Sequence, residues 1–159
     1  MEIRVVDFDV LTKNYKNYQD GVNEMTEYRT NFLTKLEPVK TEMEAIIKTV
    51  QSGLIMDEKS QREKEKTFAE LQERAMGYDN EFKTTMKQMQ NDLNGRVYDE
   101  LSVLINEWSE NNSIDLVMGK MEVVFLKEKF EITNDIINIF KERNLFVETT
   151  EQVETMEQV

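Results

Sequence analysis

The sequence predicts an α+β chain, mostly α, in which a small β body carries a long antiparallel coiled-coil helical hairpin. Three features point there. Apolar residues recur at alternating steps of four and three across residues 11 to 50 and again from residue 68, the 3.5-residue period of a coiled-coil seam. The first nine residues, MEIRVVDFD, hold a strand-like apolar run (Ile3, Val5, Val6, Phe8). Residues 113 to 144, SIDLVMGKMEVVFLKEKFEITNDIINIFKERN, read as a β-hairpin followed by a short helix. Strand patterns at both ends bracket the helices, so residues 1–8 and 113–144 are expected to form one body. Residues 9–112 form the arm, with its tip near 52–60, and 145–159 an acidic tail.

The outgoing seam runs through Leu11, Tyr15, Tyr18, Val22, Met25, Phe32, Leu36, Val39, Met43, Ile46 and Val50, interrupted only by Arg29. At 1.5 Å per residue such a helix spans about 65 Å. Pro38, the only proline, falls inside it. Proline lacks the N–H that would bond the carbonyl of Thr34, so a bend is expected. The bend is either a hinge that lets the arm splay or a kink tolerated on a solvent-facing position. Gly53 suits a left-handed helix end, and the return helix starts at a Ser60–Glu63 capping box or earlier, at Asp57. The mixed charges of DEKSQREKEK mark a solvated tip. The return seam passes through Phe68, Leu71, Ala75, Tyr78 and Phe82, then takes steps of four at Met89, Leu93, Val97 and Leu101 before Leu104 and Trp108, which relaxes the supercoil locally.

Asn111-Asn112 offers a helix stop. Gly119-Lys120 would close the hairpin. Thr133 would cap a last helix whose Ile136, Ile137 and Phe140 cover the sheet. The tail, four acids among its last twelve residues, is expected to be disordered.

Composition narrows the function. The chain has no Cys and no His, which removes disulfides, thiolate nucleophiles, the commonest metal ligand and the commonest general base. No apolar run approaches the ~20 residues of a membrane span. The net charge of −12 lies mostly in the return helix and the tail; nucleic acid and anionic lipid surfaces both reward Lys/Arg stripes, so neither is an expected partner. No catalytic residues, metal site or cofactor are expected. Asp7 and Asp9 form the best carboxylate pair, and strand-end and helix-cap duties account for them more simply than catalysis.

Methionine is the more informative excess, ten in all. Unbranched, polarizable side chains suit surfaces that accept many partners. Met25, Met43 and Met89 lie on the seam, where packing uses them. Met56, Met76 and Met86 lie off it and, with Ile47, Leu54 and Ile55, are the candidate partner-binding residues.

IRVVDFDVL (3–11), IDLVM (114–118), VVFL (123–126) and EITNDIINIFK (131–141) stand in the order and spacing of the Skp/OmpH-like chaperones, which this chain resembles over residues 2 to 144. The resemblance implies a trimeric jellyfish architecture and an ATP-independent holdase: three arms enclose a cavity that keeps unfolded client proteins soluble. Val5, Phe8, Leu116, Val124, Leu126 and Phe140 are the expected trimer-body residues, because two helices and three short strands leave apolar faces that one copy cannot cover. Members of that family are often strongly basic, whereas this chain is acidic, so membrane-surface binding does not carry over. An assembly or scaffolding protein, for example a virus-encoded one, is the alternative; a prefoldin-like chaperone would place its strands between the helices. MEIRVVDF lacks the regions of a signal peptide, so the chain reads as cytoplasmic as written, and periplasmic if a signal sequence has been removed.

Overall fold

The long-period apolar pattern folds as two long helices. The computed structural model describes residues 1–53 and 56–148. The order is β1 (Ile3–Val6), α1 (Phe8–Lys13), α2 (Lys16–Gln51), α3 (Glu58–Asn111), β2 (Leu116–Gly119) and α4 (Thr133–Glu142), with single 3₁₀ turns at Lys120–Glu122 and Glu128–Phe130. They divide into two compact units: Glu24–Gln90, and Met1–Asn23 with the described residues from Asn91 on. The expected client residues Leu54 and Ile55, and the tail from residue 149, lie outside the described residues.

In the unit that begins at Met1, β1 and β2 pair in parallel, Ile3 opposite Leu116 and Val6 opposite Gly119. A parallel pair needs a long crossover, and α1, α2 and α3 supply it. The expected hairpin is not formed. A two-residue hairpin turn demands positive φ, whereas Gly119 is extended (φ −70°, ψ 140°) and runs into a 3₁₀ turn. Residues 123–126 therefore do not fold back on β2. The other edge of β1 is taken by the entry to α4: Val5 bridges Glu131 in parallel, and Ile132 N–H donates to the Val5 carbonyl at 2.9 Å.

The core of this unit holds Val6, Leu11, Leu101, Ile132, Ile136 and Phe140, all fully buried. Phe140 meets the Tyr15 ring at 5.0 Å. Thr133 is the first residue of α4 rather than its cap. Its buried hydroxyl accepts from Asp7 N–H at 2.9 Å and donates to Glu131 Oε1 at 3.1 Å, so the hydroxyl ties α4 to the end of β1. Where α2 passes α3, Gly21 leaves room for Leu93: a Cβ there would sit 2.3 Å from Leu93 Cδ1. Only glycine permits that approach without moving the leucine.

Three sequence expectations meet their local geometry here. Gly53 adopts φ 65° at the end of α2. Asp57 caps the return helix, its Oδ1 accepting from Ser60 N–H at 2.7 Å, which settles the two alternative starts. The outgoing helix, by contrast, is not continuous from the body: α1 ends at Lys13 and α2 begins at Lys16.

Candidate functional site

In the unit Glu24–Gln90, the seam is closed by stacked rings. Tyr28 and Phe82 lie 5.9 Å apart and nearly parallel, Phe32 and Phe82 4.2 Å apart, and Lys35 Nζ sits 4.6 Å above the Tyr78 ring. Partners recede along α3 as they advance along α2. Met25, Val39 and Leu71 are buried in this seam. Packing thus consumes one stripe of each helix and leaves the rest to solvent.

Among the described residues of this unit, four large apolar side chains remain exposed: Leu33, Ile47 (40%), Val50 (57%) and Met76 (61%). Leu33 and Ile47 are spaced by about four helical turns and so share a side of α2, and Val50 follows Ile47 by three residues. Of the expected client residues, Ile47 and Met76 are on the surface, while Met56 and Met86 are only half-exposed. Val50, assigned by its spacing to the seam, is on the surface because α2 ends one residue later. Leu33 was missed. Its signal was a large apolar residue next to, but off, the seam position Phe32.

Pro38 is exposed within an unbroken α2. It lines a shallow, largely apolar groove with Thr34, Glu37, Thr41, Glu42 and Ala45. One turn before it, Thr34 Oγ1 donates back to the Thr30 carbonyl at 3.1 Å, and Thr30 Oγ1 to that of Thr26 at 3.0 Å. Such back-bonding bends helices slightly, so proline and threonines act on the same segment.

The other unit presents a second apolar surface. Leu116, Met121, Val124 and Phe125 are exposed, Val124 completely. The expected trimer-body residues separate accordingly. Leu116 and Val124 are uncovered; Phe8 and Leu126 are half-buried, Phe8 stacked on Tyr98 at 5.5 Å. Val5 (4%) and Phe140 (0%) are already buried within one chain, since α4 folds over β1, so they are not faces left for other copies. Met121 and Phe125 were missed because a hairpin would have paired their segment.

Asp7 has a structural task. Its carboxylate caps α1 by accepting from Val10 N–H at 3.2 Å and lies 3.6 Å from Lys120 Nζ. Lys120 also donates to Glu131 at 3.0 Å, and that hydrogen bond raises the lysine pKa, holding it charged. Among the described residues no group of three or more His, Cys, Asp or Glu side chains is placed to hold a metal ion, and no helix is long and apolar enough to cross a membrane.

Tyr15 is buried, its hydroxyl donating to Glu100 Oε2 at 2.8 Å while Asn17 Nδ2 donates to the same oxygen at 2.8 Å. Burial first, then the hydrogen bond and negative charge of Glu100, push its pKa from 10.0 to about 12. Between those pH values the unfolded phenol loses its proton and the folded one keeps it. This contribution to stability is therefore complete below pH 10 and lost as pH rises towards 12. Denaturation midpoints of the wild type should fall more steeply than those of Tyr15→Phe over that interval; parallel slopes would contradict the assignment.

Known proteins share both the sequence pattern and the fold. Residues 2–140 match the model of the family described as Outer membrane protein (OmpH-like). No curated protein matches the chain at a significant level. A crystal structure described as an OmpH-like outer membrane chaperone from Caulobacter crescentus aligns with 89% of this chain and 84% of its own, at 13% identity and a TM-score of 0.68. At that identity the likeness is one of fold. With a family match across most of its length, and helices and a small sheet that align with this structure, the chain belongs to the OmpH-like outer membrane protein family.

Proposed function

We propose that this chain is a chaperone of the holdase type, working without ATP, which binds unfolded or aggregation-prone proteins through many weak apolar contacts. The observation that carries this reading is the set of exposed apolar side chains on Glu24–Gln90 (Leu33, Ile47, Val50 and Met76), left over after the seam is packed. Apolar groups set among charges, with the flexible and unbranched Met76 as the most adaptable of the four, bind many sequences and none tightly. Met56 and Met86, half-exposed, add to this surface, and Leu54 and Ile55 extend the proposal to the tip. The negative charge keeps a loaded complex soluble and favours basic or amphipathic clients.

The chain acts as a homotrimer in this reading, joined through Leu116, Met121, Val124 and Phe125 with Phe8 and Leu126 at the margin, so that its arms enclose the client. We place its action in the periplasm, a reading supported by the neighbour's description as an outer membrane chaperone. Two measurements test the proposal. Native mass spectrometry should show three chains, and the purified protein should suppress aggregation of a diluted unfolded protein without nucleotide. A monomer that survives concentration, or absence of protection for any of several clients, would sink it.

Pro38 is the hinge of this arm. Pro38→Ala restores the N–H that bonds the Thr34 carbonyl and should stabilise the chain by up to about 3 kcal/mol, read from the urea midpoint. Protection of large clients should fall while that of small ones persists. Unchanged protection of both would reduce Pro38 to a tolerated kink.

A further inference from the structure

The family match ends at residue 140, yet residues 141–147 are built into the body. Asn144 takes a left-handed turn (φ 57°) that ends α4, and Leu145 N–H donates to the Phe140 carbonyl at 2.7 Å. The chain then runs antiparallel to the junction between α1 and α2, Phe146 opposite Tyr15. Two main-chain bonds hold it: Lys16 N–H donates to the Leu145 carbonyl at 2.7 Å, and Val147 N–H to that of Asn14 at 3.0 Å. Lys141 Nζ lies 4.9 Å over the Phe146 ring.

A helix break leaves main-chain groups without intrahelical partners. Here the C-terminal segment meets groups on both sides of the break and lies against Tyr15, itself 3% exposed. We propose that Leu145–Val147, just past the residues that match the family model, form a releasable strap that locks the junction between α1 and α2. Its hold on the junction is modest: two main-chain bonds to Asn14 and Lys16, and three side chains each only half-buried. That is the composition of a segment that opens on its own while the core around Phe140 stays closed. Release frees Lys16 N–H and uncovers Tyr15, so the start of α2 can move on α1.

Val147→Pro tests this in the full-length chain. It deletes the N–H that donates to Asn14 and leaves an extended backbone at Phe146; Val147→Ala is the control, and Phe146→Ala removes the ring instead. Amide hydrogen exchange at Lys16 should quicken by about tenfold or more in Val147→Pro and Phe146→Ala, while amides of Leu101, Ile136 and Phe140 keep their wild-type rates. The last of the five tyrosines to ionise in an ultraviolet titration, assigned to Tyr15 by its loss in Tyr15→Phe, should titrate closer to the ordinary value in the same two variants. Unchanged exchange at Lys16 in both would overturn the strap. So would equal acceleration at Lys16 and Phe140, which would make the segment an inseparable piece of the core.

Discussion

Phe140→Ala should lower the unfolding free energy by about 3–5 kcal/mol, the range for emptying a fully buried phenylalanine site. The ring is 0% exposed and packs on Tyr15 at 5.0 Å, while its carbonyl receives Leu145 N–H. Truncation removes the apolar contact between α4 and the junction of α1 with α2, and polar groups around Tyr15 and Glu100 hinder collapse of the cavity. Urea denaturation followed by circular dichroism measures the loss. A change under about 1 kcal/mol would mean that the face of α4 is not the centre of this unit's core.

Replacing Leu33, Ile47, Val50 and Met76 together by Gln should cut client affinity by at least about tenfold. Each side chain gives a partial burial worth roughly 1 kcal/mol on binding, and 1.4 kcal/mol is tenfold in a binding constant. Glutamine keeps the helix propensity close to that of leucine and methionine, and none of the four is buried, so the fold should be preserved. Aggregation suppression, measured beside circular dichroism and mass on the same variant, separates the two effects. Full protection by a folded variant of unchanged mass would show that clients bind elsewhere.

The long helices were legible because their information is local. A spacing of four and three needs no knowledge of the rest of the chain, and Met25, Val39, Leu71, Leu93, Val97 and Leu101 are buried at the positions the period assigns. The candidate surface was legible only in part. Ile47 and Met76 follow from being apolar and off the seam, whereas the exposure of Val50 depends on where α2 stops and which residues remain opposite it.

The sequence by itself determined the helices, the strand at the N-terminus, the left-handed Gly53 and the absence of thiol and imidazole chemistry, all properties of residue type and short-range period. Tertiary structure alone decided the pairing. Residues 116–119 are competent to fold back on 123–126 or to lie beside β1, and the choice went to β1 because α4 folds over its other side and Gly119 stays extended. That same choice buries Val5 and Phe140 within one chain and leaves Val124 and Phe125 bare. The break at Asn14–Tyr15 was equally hidden, since the apolar period passes through it unbroken. It is matched by Leu145–Val147, a partner about 130 residues away that no local pattern could name, because main-chain hydrogen bonds carry no side-chain signature.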